Sequence, residues 1–441
     1  MARRKIRIPR CEVTVVGGDG DPAISSSIPR MPDEARPWRL LRRNPGTGAL
    51  VLAILVLALF ARGAVFDVPH NEGDEVLYRA LVEQLREGRG YTLQGHRVLD
   101  ASFFSREIYD KPIFPQHPPG GALLFLACDH FAPGRGGGLA QLVGFALFFL
   151  GTLALWFAIE TDVHPLGLTL TALACALSPI SVHVGMREWL DGPLLGFTTL
   201  GSAVYLLGVR WKRGSLAIAG AFLLAGSMWI KLTAAVVFPW LIALSFALVG
   251  PEDRRQAWRA ALVLGGLALA SFLPWAVWQS ANGMPFGIAR QASPDLIGQN
   301  RYIHFVNEVR SPLLYLLATP RVLWTLVPSA ALLWLRRNDP RMRGRWLALA
   351  LWIVGTLVVY TGIGALGYSK LLRYVVVVTP AAIVLWASLL QHVWQGAERS
   401  AASLGWAAVG IAGLVLEMVH GAMLLSDARH LIVPLLGGSR W

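Results

Sequence analysis

The sequence predicts an all-α polytopic membrane protein, and three observations carry that prediction. Apolar residues make up 54% of the chain and charged residues only 15%, against roughly a quarter charged in soluble domains. Runs approaching the about 20 apolar residues that a helix needs to cross a hydrocarbon core recur along almost the whole chain. Between them, Lys and Arg cluster in alternate loops, as they do where loops are retained on the cytoplasmic side.

The runs number about eleven by this criterion and cover 49–66, 139–159, 166–184, 194–209, 216–230, 234–249, 260–278, 313–335, 347–364, 372–392 and 404–425. Arg36, Arg39, Arg42 and Arg43 precede the first, which puts the N-terminus in the cytoplasm. Counting onward, RWKRG (210–214), PEDRRQAWR (251–259) and RRNDPRMRGR (336–345) all fall on that same side, and the loops between are nearly free of such clusters. One missed or invented span would invert every later loop, so the agreement supports the count. The expected organisation is a basic cytoplasmic tail, 1–48, and a membrane domain, 49–425, followed by a short extracytoplasmic tail, 426–441. Within the domain, 67–138 and 280–312 are extracytoplasmic segments. The expected location is the inner (plasma) membrane.

The formal charge of +13 is accounted for by these juxtamembrane clusters. No basic stripe interleaved with aromatics appears, so a nucleic-acid partner is not expected. The tail carries Arg3, Arg4, Lys5, Arg7 and Arg10 among Gly, Pro and Ser without helical periodicity, and disorder is expected there. The first apolar run starts near residue 49, so no cleavable signal peptide is expected. Cys11, Cys128 and Cys175 are scattered and offer neither a disulfide framework nor metal-ligand spacing. No cofactor and no metal site is expected.

The segment 67–138 is far longer than a connecting loop, usually a mark of function. It opens on NEGDEVLYRALVEQLREGRGY (71–91), where Leu77, Ala80, Leu81 and Leu85 share one helical face and Arg79, Glu83, Arg86 and Glu87 fill the other. That pattern predicts a helix lying along the membrane surface, ended by Gly88 and Gly90. Asp74 and Glu75 in its first turn have a purely local reading, with Asn71 as N-cap and the acids set against the helix dipole. That reading leaves two downstream motifs unexplained, YDKP (109–112) and QHPPGG (116–121), the second of which opens an apolar segment, 122–131, too short to span.

An extracytoplasmic Asp-Glu followed by Tyr, a short amphipathic helix ending in Gly-x-Gly-Tyr, and Pro-Pro opening a half-buried helix resembles the GT-C glycosyltransferases. Within them it is similar to the protein mannosyltransferase and lipid A aminoarabinose transferase branch. SPISVHVGMREWLDGPLLGF (178–197) is similar to that family's second acidic site, an Asp-x-Pro opening the fourth span, which gives Asp191 that role. Its local alternative is a helix N-terminus with Pro193 in the first turn. GAFLLAGSMWIKLTA (220–234) resembles the small-residue span ending in an extracytoplasmic Lys, and YSKLLRYVVVVTPAAIVL (368–385) the Arg-Tyr element opening a late span. The resemblance runs over roughly residues 49–390. One departure matters: the aminoarabinose transferases carry Lys-Pro-Pro where this chain has His117-Pro118-Pro119, with Lys111 the nearby cation. Neutral His holds a phosphate less strongly than a permanent cation does.

The resemblance implies an inverting glycosyltransferase that moves a sugar from a polyprenyl-phosphate-linked donor to an acceptor hydroxyl on a lipid, a glycan or a protein. A carboxylate beside that hydroxyl serves as general base, a role given to Asp74, with Glu75 and Asp191 in reserve. The leaving phosphate gains charge and calls for cations, for which Lys111, His117, Lys231, Lys370 and Arg373 are the candidates. Taken singly, each reads more readily as a side chain snorkelling at a span end, and it is as a set on one face that they favour an anion site. Tyr78, Arg301 and Tyr374 are the expected acceptor contacts. A lipid or solute transporter is the alternative from another class, but it calls for repeats and interrupted helices with polar groups at the midplane. A scaffold without chemistry explains the hydrophobicity but not acids and cations gathered on one side.

Overall fold

The structure, a computed structural model, describes residues 44–63, 74–95, 112–114, 117–161, 164–281, 320–335, 339–365, 376–395 and 401–426. Every element of regular structure among them is helical. In chain order these are α1 (Pro45–Gly63), α2 (Asp74–Arg86), α3 (Gly120–Phe131), α4 (Gly136–Ile159), α5 (Pro165–Leu177), α6 (Pro179–Gly185), α7 (Asp191–Arg210) and α8 (Gly214–Ile230). A 3₁₀ turn, Leu232–Val237, leads into α9 (Phe238–Leu248), and another, Pro251–Asp253, into α10 (Arg254–Ala281). The series closes with α11 (Pro320–Leu335), α12 (Pro340–Ala365), α13 (Thr379–Gln395) and α14 (Ala401–Ser426).

Each apolar run in the sequence falls on helix over most of its described residues. By length and composition, six of these helices can cross a membrane, or seven if the bent pair α5 and α6 is one span. The remaining runs form shorter or interrupted helices. Pro179 cannot supply the N–H that would continue α5, so the run 166–184 bends by 44° there. Lys231 sits between α8 and the 3₁₀ turn and divides another pair. Lipid-facing surfaces are plain to see: on α1, Leu50, Leu52, Val56, Leu57 and Phe60 are exposed. The chain is a multi-pass membrane protein.

The two ends of the bundle are distinct. At one end, Arg345 of α12 donates to the Ile159 carbonyl and Arg210 of α7 to those of Ala158 and Glu160. Lys212 pairs there with Asp253, and Gln256 donates to the Val209 carbonyl. The basic loops that the sequence assigns to one side therefore meet in space. At the opposite end lie the start of α7, the end of α8 and the pair α2 and α3.

The tightest packing joins α4, α7 and α8. A Cβ on Gly196 would lie 2.2 Å from the Gly144 carbonyl oxygen, and one on Gly151 would lie 2.6 Å from the Leu200 nitrogen. Across the other face of α7, a Cβ on Gly208 would meet the Ala217 nitrogen at 2.2 Å, and one on Gly220 the Tyr205 nitrogen at 2.2 Å. Small residues let helix backbones approach closely where water supplies no hydrophobic drive. Gly196→Val should therefore lower stability by about 1–3 kcal/mol or more, read as a fall in the thermal unfolding midpoint in detergent. Gly226→Ala, where a Cβ meets nothing within 4 Å, should leave that midpoint at or above the wild-type value. Equal effects would contradict the packing account.

Candidate active site

The amphipathic helix α2 forms as its pattern requires. Leu77, Tyr78, Ala80 and Leu81 are buried, while Arg79, Glu87 and Arg89 stay toward solvent. Gly88 and Gly90, at φ 72° and 90°, turn the chain out of the helix in a conformation other residues adopt only under strain. Asp74 and Glu75 form its first turn. Asp74 is partly exposed, whereas Glu75 is fully buried.

Four segments meet at the bundle end that carries α2. The turn between α6 and α7 supplies Arg187, whose Nη1 lies 3.5 Å from Glu75 Oε2, and the Glu188 amide, which donates to Glu75 Oε1 at 3.2 Å. Glu188 in turn pairs with Arg79 on α2. Asp191 then opens α7, and its Oδ1 accepts from Lys231 Nζ at 2.7 Å, both side chains being buried. The start of α3 closes against the same group. A Cβ on Gly120 would lie 2.6 Å from the Trp229 carbonyl oxygen, and one on Gly121 would lie 2.3 Å from Leu190. Pro119-Gly120-Gly121 is thus a close-approach device wedged between the residues that precede Asp191 and Lys231.

His117 lies just before that wedge, partly exposed. Its ring centroid stands 6.4 Å from that of Tyr78, one turn beyond Glu75. Its carbonyl accepts from the Tyr91 hydroxyl at 3.1 Å, which ties the loop after α2 to the loop before α3. Of the candidate residues named from the sequence, Asp74, Glu75, Tyr78, His117, Asp191 and Lys231 come together at this end of the bundle. Lys111, Arg301, Lys370, Arg373 and Tyr374 lie outside the described residues. Arg187 and Glu188 stand within the Asp191 motif, but sequence reasoning assigns them no role. Their signal is a charged pair directly at a span end, three and four residues ahead of the acid.

A hollow of about 690 Å³ opens elsewhere, between the far ends of α2 and α3, lined by Leu123, Leu126, Ala127, His130 and the paired Arg86 and Asp129. It begins about 16 Å along α2 from Glu75 and shares no lining residue with the charged cluster. Among the described residues no group of three or more His, Cys, Asp or Glu is placed to hold a metal ion.

No protein-family model matches the chain, and no curated protein sequence matches it. Solved structures do. ArnT from Cupriavidus metallidurans bound to undecaprenyl phosphate aligns with a TM-score of 0.52 at 17% identity, over 87% of this chain and 73% of that one. The same protein in the apo state aligns at 0.52 and 18% identity, over 88% and 72%. The chain has a GT-C fold. A more distant likeness is to the Archaeoglobus fulgidus oligosaccharyltransferase, at a TM-score of 0.45 and 11% identity, over 86% of this chain and 55% of that one.

In this GT-C fold the buried charges described at the site are held in two pairs, and burial is what makes the pairing obligatory. Lys231→Met leaves the Asp191 carboxylate buried without its cation and should cost about 3–5 kcal/mol. Replacing both, in Asp191→Leu with Lys231→Met, should cost clearly less than the sum of the two single changes. Thermal unfolding of the purified variants reads this directly, and strict additivity would contradict a coupled pair.

Burial pushes the Glu75 carboxyl above the usual carboxylate range, and the Arg187 guanidinium and the Glu188 amide pull it back only in part. A carboxyl whose pKa is raised on folding adds stability while it is protonated and loses that contribution as pH rises through the folded-state value. Glu75→Gln, which mimics the protonated form, should therefore gain stability relative to wild type as pH increases above the ordinary Glu value of 4.5. A stability difference flat across that range, or one of opposite slope, would contradict this placement of Glu75.

Proposed function

We propose that this protein is an inverting glycosyltransferase that uses a polyprenyl-phosphate-linked sugar, working at the extracytoplasmic face of the inner membrane. The observation that carries the reading is the gathering of carboxylates and cations from α2, the 117–121 turn, the 187–191 turn and the end of α8. These segments are far apart in sequence, and they meet at one end of an apolar bundle with a GT-C fold. A donor that remains anchored in the bilayer needs its reacting bond met at that level, and a site at a bundle end supplies it. Undecaprenyl phosphate is the molecule bound in the Cupriavidus metallidurans ArnT structure, which makes a polyprenyl phosphate the natural donor carrier here.

In the proposed reaction Asp74, partly exposed at the start of α2, takes the proton of the acceptor hydroxyl. The acceptor oxygen bonds to the anomeric carbon from the side opposite the phosphate, the bond from that carbon to the phosphate oxygen breaks, and the configuration inverts. Polyprenyl phosphate departs with the bonding electron pair. Glu75 is the second carboxylate, oriented by Arg187. Asp191 fixes the Lys231 ammonium, and a cation set in place in advance stabilises developing phosphate charge without reorganising. His117, with Lys111, Lys370 and Arg373, completes the proposed anion site, and Tyr78, Arg301 and Tyr374 are the proposed acceptor contacts. A transporter would use the broken span between α5 and α6 as an open path. At that break Arg62 instead donates to the Ala176 carbonyl, and the Ser181 hydroxyl lies within reach of that of Cys175.

Deletion of the gene should remove one sugar from a membrane glycolipid, a surface polysaccharide or a glycoprotein, detected by mass spectrometry. Wild type should restore it, and Asp74→Asn should restore it about 100- to 10,000-fold less efficiently. Glycans unchanged on deletion would overturn the activity, and full rescue by Asp74→Asn would overturn the assignment of the base.

A further inference from the structure

Arg62 lies in the last turn of α1 and is fully buried, a costly position for a permanent cation inside a membrane protein. Its surroundings explain it. The third span breaks at Ser178, which is extended ahead of Pro179, as the residue before a proline tends to be. In an unbroken helix the Cys175 carbonyl would accept from residue 179, and a proline has no N–H to give. The Ser181 hydroxyl lies within hydrogen-bond reach of that carbonyl, at 3.2 Å, and of the Ser178 carbonyl, at 3.0 Å, and donates to one of them at a time. The Ala176 carbonyl accepts from Arg62 Nη2 at 2.9 Å, and the same nitrogen reaches the Ser181 oxygen at 3.3 Å. The guanidinium lies over the Phe145 ring, 3.7 Å from its centroid. Behind the break, a Cβ on Gly421 of α14 would fall 1.7 Å from the Leu177 carbonyl oxygen. The break is therefore enclosed on several sides.

The other end of this segment is also held from within the bundle. Gln141 of α4, itself buried, donates to the Trp189 carbonyl at 2.6 Å. Gly192 makes room for it, since a Cβ there would lie 1.8 Å from Gln141 Oε1. The gap between the two attachments, bordered by Gln141, Phe145, Ser181, Gly185 and Gly192, measures only about 10 Å³, roughly the room of one water. Little free space separates the segment from α4 and the start of α7. Between Ser181 and Trp189 it carries Arg187 and Glu188, the partners of Glu75, and Asp191 comes directly after.

We infer that Arg62 is a positioning residue of the acidic site. By replacing the backbone donors lost at the Ser178 break, it fixes α6 and so sets where Arg187 meets Glu75 and Asp191 meets Lys231. Gln141 anchors the far end of the same segment. Arg62 acts through these groups and does not touch substrate; its link to turnover rests on the glycosyl-transfer reading, while its effect on the segment does not.

The test uses the full chain in lipid nanodiscs, as wild type, Arg62→Met, Arg62→Lys and Ser181→Ala. Hydrogen exchange measured by mass spectrometry should show residues 178–190 exchanging at least about tenfold faster in Arg62→Met. A smaller increase confined to the same peptides is expected in Ser181→Ala, which removes no charge, and in both variants the centres of α7 and α8 should match wild type. In the sugar-transfer assay, Arg62→Met should lower kcat by about 100-fold, the scale of a 1 Å misplacement, with KM for the donor unchanged. Arg62→Lys keeps the charge but loses the planar two-acceptor reach, and should recover part of that turnover. Exchange at 178–190 unchanged in both Arg62→Met and Ser181→Ala would overturn the inference. So would faster exchange spread evenly over all helices in Arg62→Met with Ser181→Ala indistinguishable from wild type. Absence of sugar transfer by wild type would sink the functional reading and leave the exchange result standing.

Discussion

A buried charge must have a partner, and in a bundle this apolar that constraint shapes the end that carries Asp191 and Glu75. Lys231 and Asp191 are each almost fully buried and lie 2.7 Å apart; Glu75 and Arg187 are buried together in the same way. Neither pair is a gain in stability over apolar residues of the same volume, because the desolvation of two ions offsets their attraction. Their cost is borne in return for a fixed arrangement of carboxylate and cation at one bundle end. The pairs tie the turn before α7 to α2 on one side and to α8 on the other.

The rest of the fold can be understood as what allows these pairs to form. Backbone approach along Gly144, Gly151 and Gly196 brings α7 close to α4, and Gly208 and Gly220 do the same between α7 and α8. Together they set the register that puts Asp191 opposite Lys231. Gly120 and Gly121 let α3 press against Trp229 and Leu190, so the loop bearing His117 closes over the same end. At the opposite end the carbonyls that finish α4 are capped by Arg210 and Arg345, and Glu160 faces His392 at 3.2 Å. This second buried charge cluster ties α4, α7, α12 and α13 to one another. The bundle is thus pinned by charge at both ends and packed through glycine between them.

Much of this was legible in the sequence because it depends on local chemistry. The amphipathic period of 74–86, the two glycines that end it, the short apolar segment after Pro119 and the alternation of basic loops need no tertiary information, and helices stand where those patterns predict them. The likeness to GT-C glycosyltransferases rests on the same local motifs. What the sequence withheld was partnership. Lys231 reads as a span-end cation available to a phosphate, yet it is bound to an acid 40 residues away, a contact that depends on helix register. Arg62 looks like any arginine snorkelling from the end of an apolar run; only the broken span packed against it reveals the carbonyl that it reaches. The run 166–184 reads as one span, and the structure bends it by 44° at Pro179. Arg187 and Glu188 stood in plain view beside Asp191, and their role became visible only once α2 lay against them.

This charged bundle end is the proposed meeting point of a polyprenyl phosphate and the protein. It is tested most directly by photo-crosslinking a diazirine-bearing polyprenyl phosphate to the chain in lipid nanodiscs and mapping the labelled peptides. The account predicts labelling of peptides from the start of α2, the 117–121 turn, the 187–191 turn and the end of α8, reduced by excess unlabelled undecaprenyl phosphate. Labelling confined to the opposite end, around Glu160, Arg210 and His392, or labelling that unlabelled undecaprenyl phosphate does not reduce, would contradict it.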